Sequence, residues 1–198
     1  GKIAVFAKGA RRQNSAFLAC SQPFTFGKFE LYEGRSSYNL TSAKISDYFE
    51  EVSMNLEAAY YGMYFCELAD YFANENEDFT DMLMLLHISL KAFLKESIGM
   101  TLVRYIYELK LLAINGFSPQ VFACVNCNKE KGIEGFYRFS CKSGGLLCDD
   151  CKSTAVDSVK LSSSSVYTLQ YILARPIEKL YSFVVSDEVF RELKRCID

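Results

Sequence analysis

Four cysteines of the 198-residue sequence stand in two closely spaced pairs. Cys124 and Cys127 form one Cys-x-x-Cys pair, Cys148 and Cys151 form the other, and twenty residues separate the pairs. This spacing is typical of a four-cysteine zinc site, in which each pair supplies two thiolates to one ion. Four thiolates complete the tetrahedron and leave no position for water, so the pattern predicts one structural Zn²⁺. The intervening residues are expected to fold as a zinc ribbon.

The same cysteines are compatible with three other chemistries. Two disulfides require an oxidising compartment, which nothing else in the sequence indicates. A redox pair of the thioredoxin type requires a βαβ context that the flanking residues do not provide. An iron–sulfur cluster also takes four thiolates, although pairs flanking a hairpin favour zinc. A cysteine-based redox or metal enzyme therefore stays an alternative.

The remaining cysteines and the single histidine show no pattern of ligands. Cys141 lies between the pairs, where it could be a decoy or a substitute ligand, but it has no Cys-x-x-Cys partner. Cys20, Cys66 and Cys196 are isolated, which predicts small buried side chains. His87 lies in a helical pattern with no nucleophile beside it, as a core or surface residue. Because GxSxG, P-loop and paired-carboxylate motifs are also missing from the sequence, we predict no catalytic residues and no enzymatic activity.

The elements that position the cysteines are short strands followed by helices. Residues 2–35 alternate in polarity and carry glycine turns, which predicts a small sheet. From about residue 41 apolar residues recur at helical spacing in three stripes, which predicts a bundle. The stripes are Ile45, Tyr48, Phe49, Val52, Leu56, Ala59, Tyr60 and Met63; Leu83, Leu86, Leu90, Phe93 and Leu94; and Leu102, Tyr105, Ile106, Leu109, Leu112 and Ala113.

Capping signals mark the later helices. Asn115-Gly116 followed by Pro119 is the usual end of a helix. Residues 162–165 are all serine and suit the start of a helix that runs from about residue 166 to 174. A final helix is predicted to begin at Asp187.

The formal net charge of −2 conceals a gradient along the chain. Residues 1–49 contain seven Lys and Arg against three Asp and Glu, whereas residues 50–123 contain four against eleven. A polyanion is therefore expected to bind the N-terminal part. No apolar run approaches the ~20 residues of a spanning helix and no signal-peptide pattern is present, so we expect neither a membrane protein nor a secreted one.

Several separate blocks of the sequence form a recognisable series. The blocks are Gly1-Lys-Ile with Phe6-Ala-Lys-Gly-Ala-Arg-Arg12, Gln22-Pro-Phe-Thr25, Tyr107-Glu-Leu-Lys-Leu-Leu112, and Gly144-Gly-Leu-Leu-Cys148. In order and spacing, over essentially the whole chain, they resemble the RecO family of bacterial DNA repair proteins. The paired cysteines match the members of that family that carry a zinc finger.

The resemblance implies an α+β fold, in which an N-terminal OB-fold β-barrel precedes an α-helical bundle domain with an inserted four-cysteine zinc ribbon. Residues 1–40 would be a partial OB-fold, 41–123 and 153–198 the two parts of the helical domain, and 124–152 the zinc finger insertion. Chains of this family normally begin some strands before Gly1 and continue beyond Asp198, so we expect an incomplete barrel and a shortened last helix.

The resemblance also implies a role in recombination without enzymatic turnover. Family members bind single- and double-stranded DNA, anneal complementary strands, associate with RecR, and help RecA displace the single-strand binding protein (SSB). The expected location is the cytoplasm, on the nucleoid. The acidic SSB tail would need an apolar groove beside a cation, for which Lys91, Lys95, Arg104 and Lys110 are candidates.

Basic and aromatic residues of the N-terminal module are the predicted DNA contacts, because single strands bind cationic grooves with aromatic faces. The cations are Lys2, Lys8, Arg11, Arg12, Lys28 and Arg35. The aromatic residues among them are Phe17, Phe26, Tyr32 and Tyr38, whereas Phe24 and Phe29 are expected to fill the barrel. The finger's Lys129, Lys131, Arg138, Lys142 and Lys152 either extend the DNA path or offset the charge of a zinc tetrathiolate. A zinc-stapled adaptor that binds only proteins is the competing interpretation.

Overall fold

A computed structural model describes residues 1–35, 37–130, 132 and 136–198, apart from the side chain of Tyr137. The chain folds as two compact units, Gly1–Lys95 and Glu96–Asp198, and each contains strands and helices. The predicted α+β class is therefore confirmed, whereas the predicted domain boundaries at residues 40, 123 and 152 stay a prediction. Among the described residues, no helix is both long enough and apolar enough to cross a membrane.

An open three-stranded sheet forms the N-terminal part of the first unit. Strand β1 (Val5–Phe6) pairs in parallel with β3 (Tyr38–Asp47), which pairs antiparallel with β2 (Phe26–Glu33). The predicted change to a helix at about residue 41 is wrong, because β3 continues to Asp47 and Ile45 lies opposite Gly27 in the ladder. An alternating strand that runs directly into a helix mimics helical spacing over its last residues.

Three helices complete the first unit: α1 (Glu50–Met54), α2 (Leu56–Phe72) and α3 (Thr80–Ala92). The side chain of Asn55 caps α2 by accepting a hydrogen bond from the Ala58 N–H at 3.0 Å. Asn-type caps satisfy one of the N–H groups that a helix start leaves unpaired. The predicted helices are thus present, with α2 starting at a recognisable cap.

The face of α2 that packs inward is not the predicted one. Its buried residues are Ala58, Gly62 and Phe65, whereas the predicted members Leu56, Tyr60 and Met63 are exposed. Close packing explains the difference, since a Cβ placed on Gly62 would lie 2.8 Å from Cζ of Phe24. The Phe24 ring occupies the space that a side chain at position 62 would need.

A cluster around Asp47 ties the end of β3 to α3. The Nε2 atom of His87 lies 2.8 Å from Oδ2 of Asp47, and Nζ of Lys91 lies 3.5 Å from Oδ1. The hydrogen bond with His87 lowers the pKa of the Asp47 carboxyl. The rings of Phe26 and Phe49 flank the imidazole, with centroids 4.7 and 5.6 Å away. His87 therefore joins the sheet to a helix, which is a structural role.

Helix α4 (Met100–Ile114) is the central helix of the second unit and packs against α5 (Ser163–Ala174) and α6 (Asp187–Ile197). It ends as predicted, because Gly116 has a φ of +83° and the Phe117 N–H bonds the Leu112 carbonyl at 2.8 Å. The predicted start of α6 at Asp187 is confirmed, whereas α5 begins at Ser163, three residues before the predicted start at about residue 166. Their caps are Ser162 and Ser186.

Two charged side chains are buried where these helices meet. Nζ of Lys110 donates to the Leu173 and Arg175 carbonyl oxygens, at 2.9 and 2.7 Å, and so satisfies the C-terminal end of α5. At the other end of α5, the Glu192 carboxylate accepts from the N–H and hydroxyl of Ser162, at 2.7 and 2.8 Å. Neighbouring helices thus hold both ends of α5 through buried charge.

Replacing Lys110 by Met keeps the aliphatic stem and removes the charged donor. The two carbonyl oxygens then lose a charge-assisted hydrogen bond inside the protein, so we expect the free energy of unfolding to fall by about 2 kcal/mol. Urea unfolding followed by circular dichroism measures the change. The control Lys160→Met removes an exposed cation and is expected to change the free energy of unfolding by less than about 0.5 kcal/mol.

Glu192 is expected to make stability depend on pH. Burial raises the pKa of its carboxyl, but the hydrogen bonds from Ser162 and Ser165 lower the pKa by more than burial raises it. The folded pKa therefore lies below the ordinary 4.5. The stabilisation is therefore complete above about pH 5 and is lost as the pH falls through 4.5 towards the folded pKa.

The variant Glu192→Gln isolates this contribution, because both proteins share all their other titratable groups. Urea titrations at each pH give the free energy of unfolding of both proteins. The difference between wild type and variant should shrink as the pH falls from 6 to about 3. Glu188→Gln, on the exposed side of α6, should retain the wild-type profile. A difference that stays constant with pH would contradict the assignment.

Candidate metal centre and nucleic-acid surface

A small antiparallel sheet carries one of the paired cysteines, Cys148, and Cys151 lies in the short turn that follows it. Strands β4 (Phe136–Ser140), β5 (Gly145–Cys148) and β6 (Val159–Lys160) pair in the order β5-β4-β6. All four residues of β5 are buried, and Gly144 closes the β4–β5 hairpin with a φ of +72°. The predicted hairpin between the cysteine pairs is present in the described residues.

The first cysteine pair lies against β5 through backbone hydrogen bonds. The Val125 N–H donates to the Leu146 carbonyl at 3.0 Å, and the Leu146 N–H donates to the Gln120 carbonyl at 2.8 Å. A Cβ on Gly145 would collide with the Gln120 carbonyl oxygen, so only glycine allows this approach. The knuckle around Cys124 is therefore held next to the strand that ends at Cys148.

The sulfur atoms of Cys124, Cys127, Cys148 and Cys151 all lie within 4.8 Å of one another. The Cys127 and Cys148 sulfurs are 3.8 Å apart. A tetrahedral ion with Zn–S bonds of about 2.3 Å requires sulfur atoms roughly 3.8 Å apart. A disulfide would need about 2.05 Å, and all eight cysteines are free thiols. The four donors thus fit a tetrahedral thiophilic metal ion.

Hydrogen bonds to the sulfurs favour thiolate at one position. Burial disfavours the charged form of Cys124, but N–H groups of Cys148, Cys127 and Asn126 outweigh it and lower the pKa to about 6. At Cys151 the Asn126 amide donates to the sulfur at 3.3 Å, which lowers the pKa, yet burial and the other three sulfurs raise it to about 11. A cation among the sulfurs reverses the latter effect, since coordination deprotonates a thiol.

The other cysteines lie outside this centre. The Cys141 thiol donates to the Cys196 carbonyl at 2.9 Å, so it faces α6 and not the cluster. Cys20 and Cys196 are buried, as predicted, whereas Cys66 is half-buried. The candidate metal site therefore consists of the four paired cysteines. Asn126, which sequence reasoning missed, is the side chain that contacts a ligand sulfur.

The basic residues predicted to bind DNA lie in different parts of the first unit. Lys8, Arg11 and Arg12 are exposed on the loop that follows β1. The loop forms consecutive turns, the first closed by the Ala10 N–H to the Ala7 carbonyl, and Gly9 has a φ of +74°. Arg35 follows β2 in the turn to β3. Lys2 is already paired, since its Nζ lies 3.0 Å from Oδ1 of Asp70.

Lys28 of β2 lies directly opposite Lys44 of β3 in the ladder, and both are exposed. Like charges facing each other across a sheet repel and destabilise the pair. Glu30, two residues along β2 from Lys28, accepts from the Ser42 hydroxyl at 2.5 Å. An anion between the two ammonium groups would relieve their repulsion. Sequence reasoning missed Lys44, because only the strand register reveals its partner.

Lys44 lies on β3, and Arg35 lies in the turn before that strand. Lys44 is six positions beyond Tyr38, the first residue of β3, which corresponds to about 20 Å of strand. The spacing suits a path along the strand better than a single compact site. Their contact with DNA stays a prediction.

The aromatic residues divide differently from the prediction. Phe24 is buried as expected, although against α2, and Phe26 packs on His87. The expectation that Phe29 fills a barrel is wrong, because its ring is 40% exposed on the open sheet. Of the residues predicted to stack on bases, Tyr32 is the most exposed, at 65%. Phe6, at 60% exposed, is a further aromatic residue on the surface that sequence reasoning missed.

Two of the finger's cations have partners within the second unit. Arg138 donates to the Ser158 carbonyl at 2.8 Å, and Nζ of Lys152 lies 2.6 Å from Oδ1 of Asp149. Lys131 lies outside the described residues. Neither paired cation is directed at a ligand sulfur, so offset of the tetrathiolate charge by direct contact is not their role.

Two family models match consecutive parts of the chain. Recombination protein O N terminal matches residues 1–49, and Recombination protein O C terminal matches residues 54–198. The chain belongs to the RecO family. The two models meet near the end of β3, and the second includes all four paired cysteines.

Relatives in this family align over nearly the entire chain. The DNA repair protein RecO of Alkaliphilus metalliredigens is 31% identical over 197 residues, which cover 100% of this chain and 79% of that protein. The RecO of Clostridium novyi is 31% identical over 199 residues, covering 100% and 76%. The RecO of Caldicellulosiruptor bescii is 32% identical over 194 residues, covering 98% and 78%.

Substituting a ligand cysteine is expected to remove the metal of this RecO-family chain. We expect one metal ion per chain in the wild type, and none in Cys124→Ser or Cys148→Ser, because three thiolates leave the tetrahedron open. Mass spectrometry of the desalted protein for bound metals measures both the content and the element. Cys141→Ser is the matched control and should keep one ion. Metal loss in this control as well would contradict the four-ligand site.

Proposed function

We propose that this RecO-family chain is a recombination mediator that binds single- and double-stranded DNA, anneals complementary strands, and with RecR helps load RecA onto SSB-coated DNA. Membership of the family over both matched regions carries the proposal. The chain acts by binding and has no catalytic turnover. Its place of action is the cytoplasm, on the nucleoid, where its DNA substrate lies.

The proposed DNA path follows the β2–β3 hairpin and the loop after β1. We include the facing pair Lys28 and Lys44 in this path because their ammonium groups repel each other, and a DNA phosphate between them would relieve that repulsion. Arg11 and Arg12 supply further exposed guanidinium groups, and Tyr32 supplies a ring for base stacking. Lys2 contributes less than the others, because its charge is paired with Asp70.

We propose Zn²⁺ as the metal and a structural role for it. The support is the donor set, since four thiolates in tetrahedral spacing suit Zn²⁺ and leave no open position. Cys124, Cys127, Cys148 and Cys151 would hold it. The bound ion supplies folding free energy to the ribbon and no reaction chemistry. A thiol redox enzyme is disfavoured by the same geometry, because all four sulfurs converge on one point.

The proposed protein partners are RecR and the SSB tail, with RecA affected indirectly. The cation expected beside the tail is not assigned by the contacts of the candidates. Lys91 pairs with Asp47, Lys110 caps α5, and Arg104 bonds Asp198. The location of the tail site therefore stays a prediction.

DNA affinity is expected to fall with salt in proportion to the phosphates contacted. For single strands the slope of log K against log salt is about −0.7 for each contact, so Lys28→Ala with Lys44→Ala should reduce it by about 1.4. Fluorescence anisotropy with a labelled oligonucleotide at several salt concentrations gives the slope. The control Lys160→Ala with Lys179→Ala removes two exposed cations of the second unit and should leave it unchanged. A slope identical in both double variants would refute the proposed path.

Strand annealing tests the mediator role itself. Complementary oligonucleotides coated with SSB should anneal faster with the protein, without ATP, and the gain should be lost when SSB lacks its acidic tail. Arg11→Glu with Arg12→Glu should slow annealing of naked strands as well, because charge reversal repels both strands. Absence of acceleration in all arms would leave a protein-binding adaptor as the better description.

A further inference from the structure

Helix α2 is apolar on two faces, and the packing of the first unit covers one of them. The buried face consists of Ala58, Gly62 and Phe65. The second face presents Leu56 and Tyr60, which are 72% and 71% exposed, together with Met63. A helix that is apolar on more than one face is normally covered on each. Exposed contiguous apolar surface of this kind marks an interaction site.

A cavity beside this face provides a place for an inserted side chain. It has a volume of about 440 Å³ and lies between the loop before β2 and the first two helices. Pro23 and Phe24 form one wall, and Met54 and Met63 form another. Methionine side chains adapt their shape to an incoming group, so the cavity suits a large aliphatic or aromatic anchor.

The charges on the chain segment that forms this face have one sign, and the cation that pairs with α2, Lys2, lies at Asp70 near the end of the helix. The sequence contains no Lys or Arg between residues 45 and 90, whereas ten Asp and Glu lie in that interval. Glu50 lines the cavity, and Glu57 and Glu67 lie on α2 beside the exposed apolar side chains. Among the described residues, none of these three forms an ion pair. Carboxylates repel nucleic acid and an acidic peptide alike.

We propose that the exposed face of α2, defined by Leu56, Tyr60 and Met63 with the adjoining cavity, docks a basic amphipathic helix of a protein partner. Charge complementarity selects the occupant, because an apolar stripe rimmed by carboxylates is matched by an apolar stripe rimmed by Lys or Arg. A helix suits this face better than a strand, since α2 offers a groove for side chains and no free backbone edge for pairing.

The inference is independent of the proposed DNA path, which uses other residues. Lys28 and Lys44 lie on the sheet, and the acidic face lies on α2. DNA binding can therefore fail without affecting this docking surface, and the docking surface can fail without affecting DNA binding.

A synthetic peptide of about 18 residues, built from Leu and Lys in amphipathic helical order, is the probe. Fluorescence anisotropy should show binding of this peptide to the protein, and none of the counterpart in which Glu replaces every Lys. Tyr60→Ser with Met63→Ser should weaken binding by at least about tenfold, because buried aromatic anchors dominate such interfaces. The control Tyr167→Ser with Val184→Ser changes two exposed residues of the second unit and should preserve the affinity.

Charge reversal supplies the second arm. Glu57→Lys with Glu67→Lys should abolish binding of the Lys peptide, and Glu178→Lys with Glu188→Lys should not. All these positions are exposed, so unchanged circular dichroism and unfolding midpoints are expected and verify folding.

Three results would overturn the docking surface. The first is equal weakening by the α2 variants and their second-unit controls. The second is self-association in sedimentation experiments that Tyr60→Ser abolishes, which would make a second copy the occupant. The third is a parallel loss of single-stranded DNA affinity in Tyr60→Ser with Met63→Ser, which would assign the face to nucleic acid.

Discussion

The convergence of four cysteine sulfurs holds together two segments that have little regular structure of their own. One segment contributes Cys124 and Cys127 from a loop, and the other contributes Cys148 and Cys151 from the end of a four-residue strand and a short turn. Such short pieces cannot bury enough apolar surface to fold alone. A metal ion bound by the four sulfurs would supply the missing free energy to this ribbon, which packs against α5 and α6.

Charge plays a comparable part elsewhere in the protein, at points where elements meet. Asp47 joins β3 to α3, while Lys110 and Glu192 hold the two ends of α5. Each of these charged groups is satisfied by a partner, which is the condition for burying or half-burying charge without destabilising the fold. Other charges of the described residues form no ion pair. Among them are Lys28 and Lys44, which are proposed to bind DNA, and Glu57 and Glu67, which are proposed to bind a basic helix.

Much of the metal centre could be predicted because its signal is local. The spacing of the two Cys-x-x-Cys pairs is enough to predict which residues are the ligands. The serines at positions 162–165 similarly predict a helix cap. The contribution of Asn126 is not visible this way, since it depends on the distance from its amide to the Cys151 sulfur. Buried charges such as Lys110 and Glu192 are equally invisible, because their partners lie far away along the chain.

The errors have physical causes as well. Periodicity favoured the large apolar residues of α2 as its buried face, whereas close approach of Phe24 selects Ala58 and Gly62. The helix was predicted to begin too early because the end of β3 and the start of α1 together imitate helical spacing. Lys44 was overlooked because cross-strand register is a property of two strands and not of one.

The facing pair Lys28 and Lys44 gives the β2–β3 hairpin an inverted response to ionic strength. Dissolved salt screens the repulsion between the two ammonium groups, so the hairpin itself becomes more stable as the salt concentration rises. The same ions compete with any polyanion for those groups, so binding weakens over the same range. The hairpin is consequently least stable under the conditions in which it attracts a polyanion most strongly, and a bound polyanion takes over the role of the screening ions.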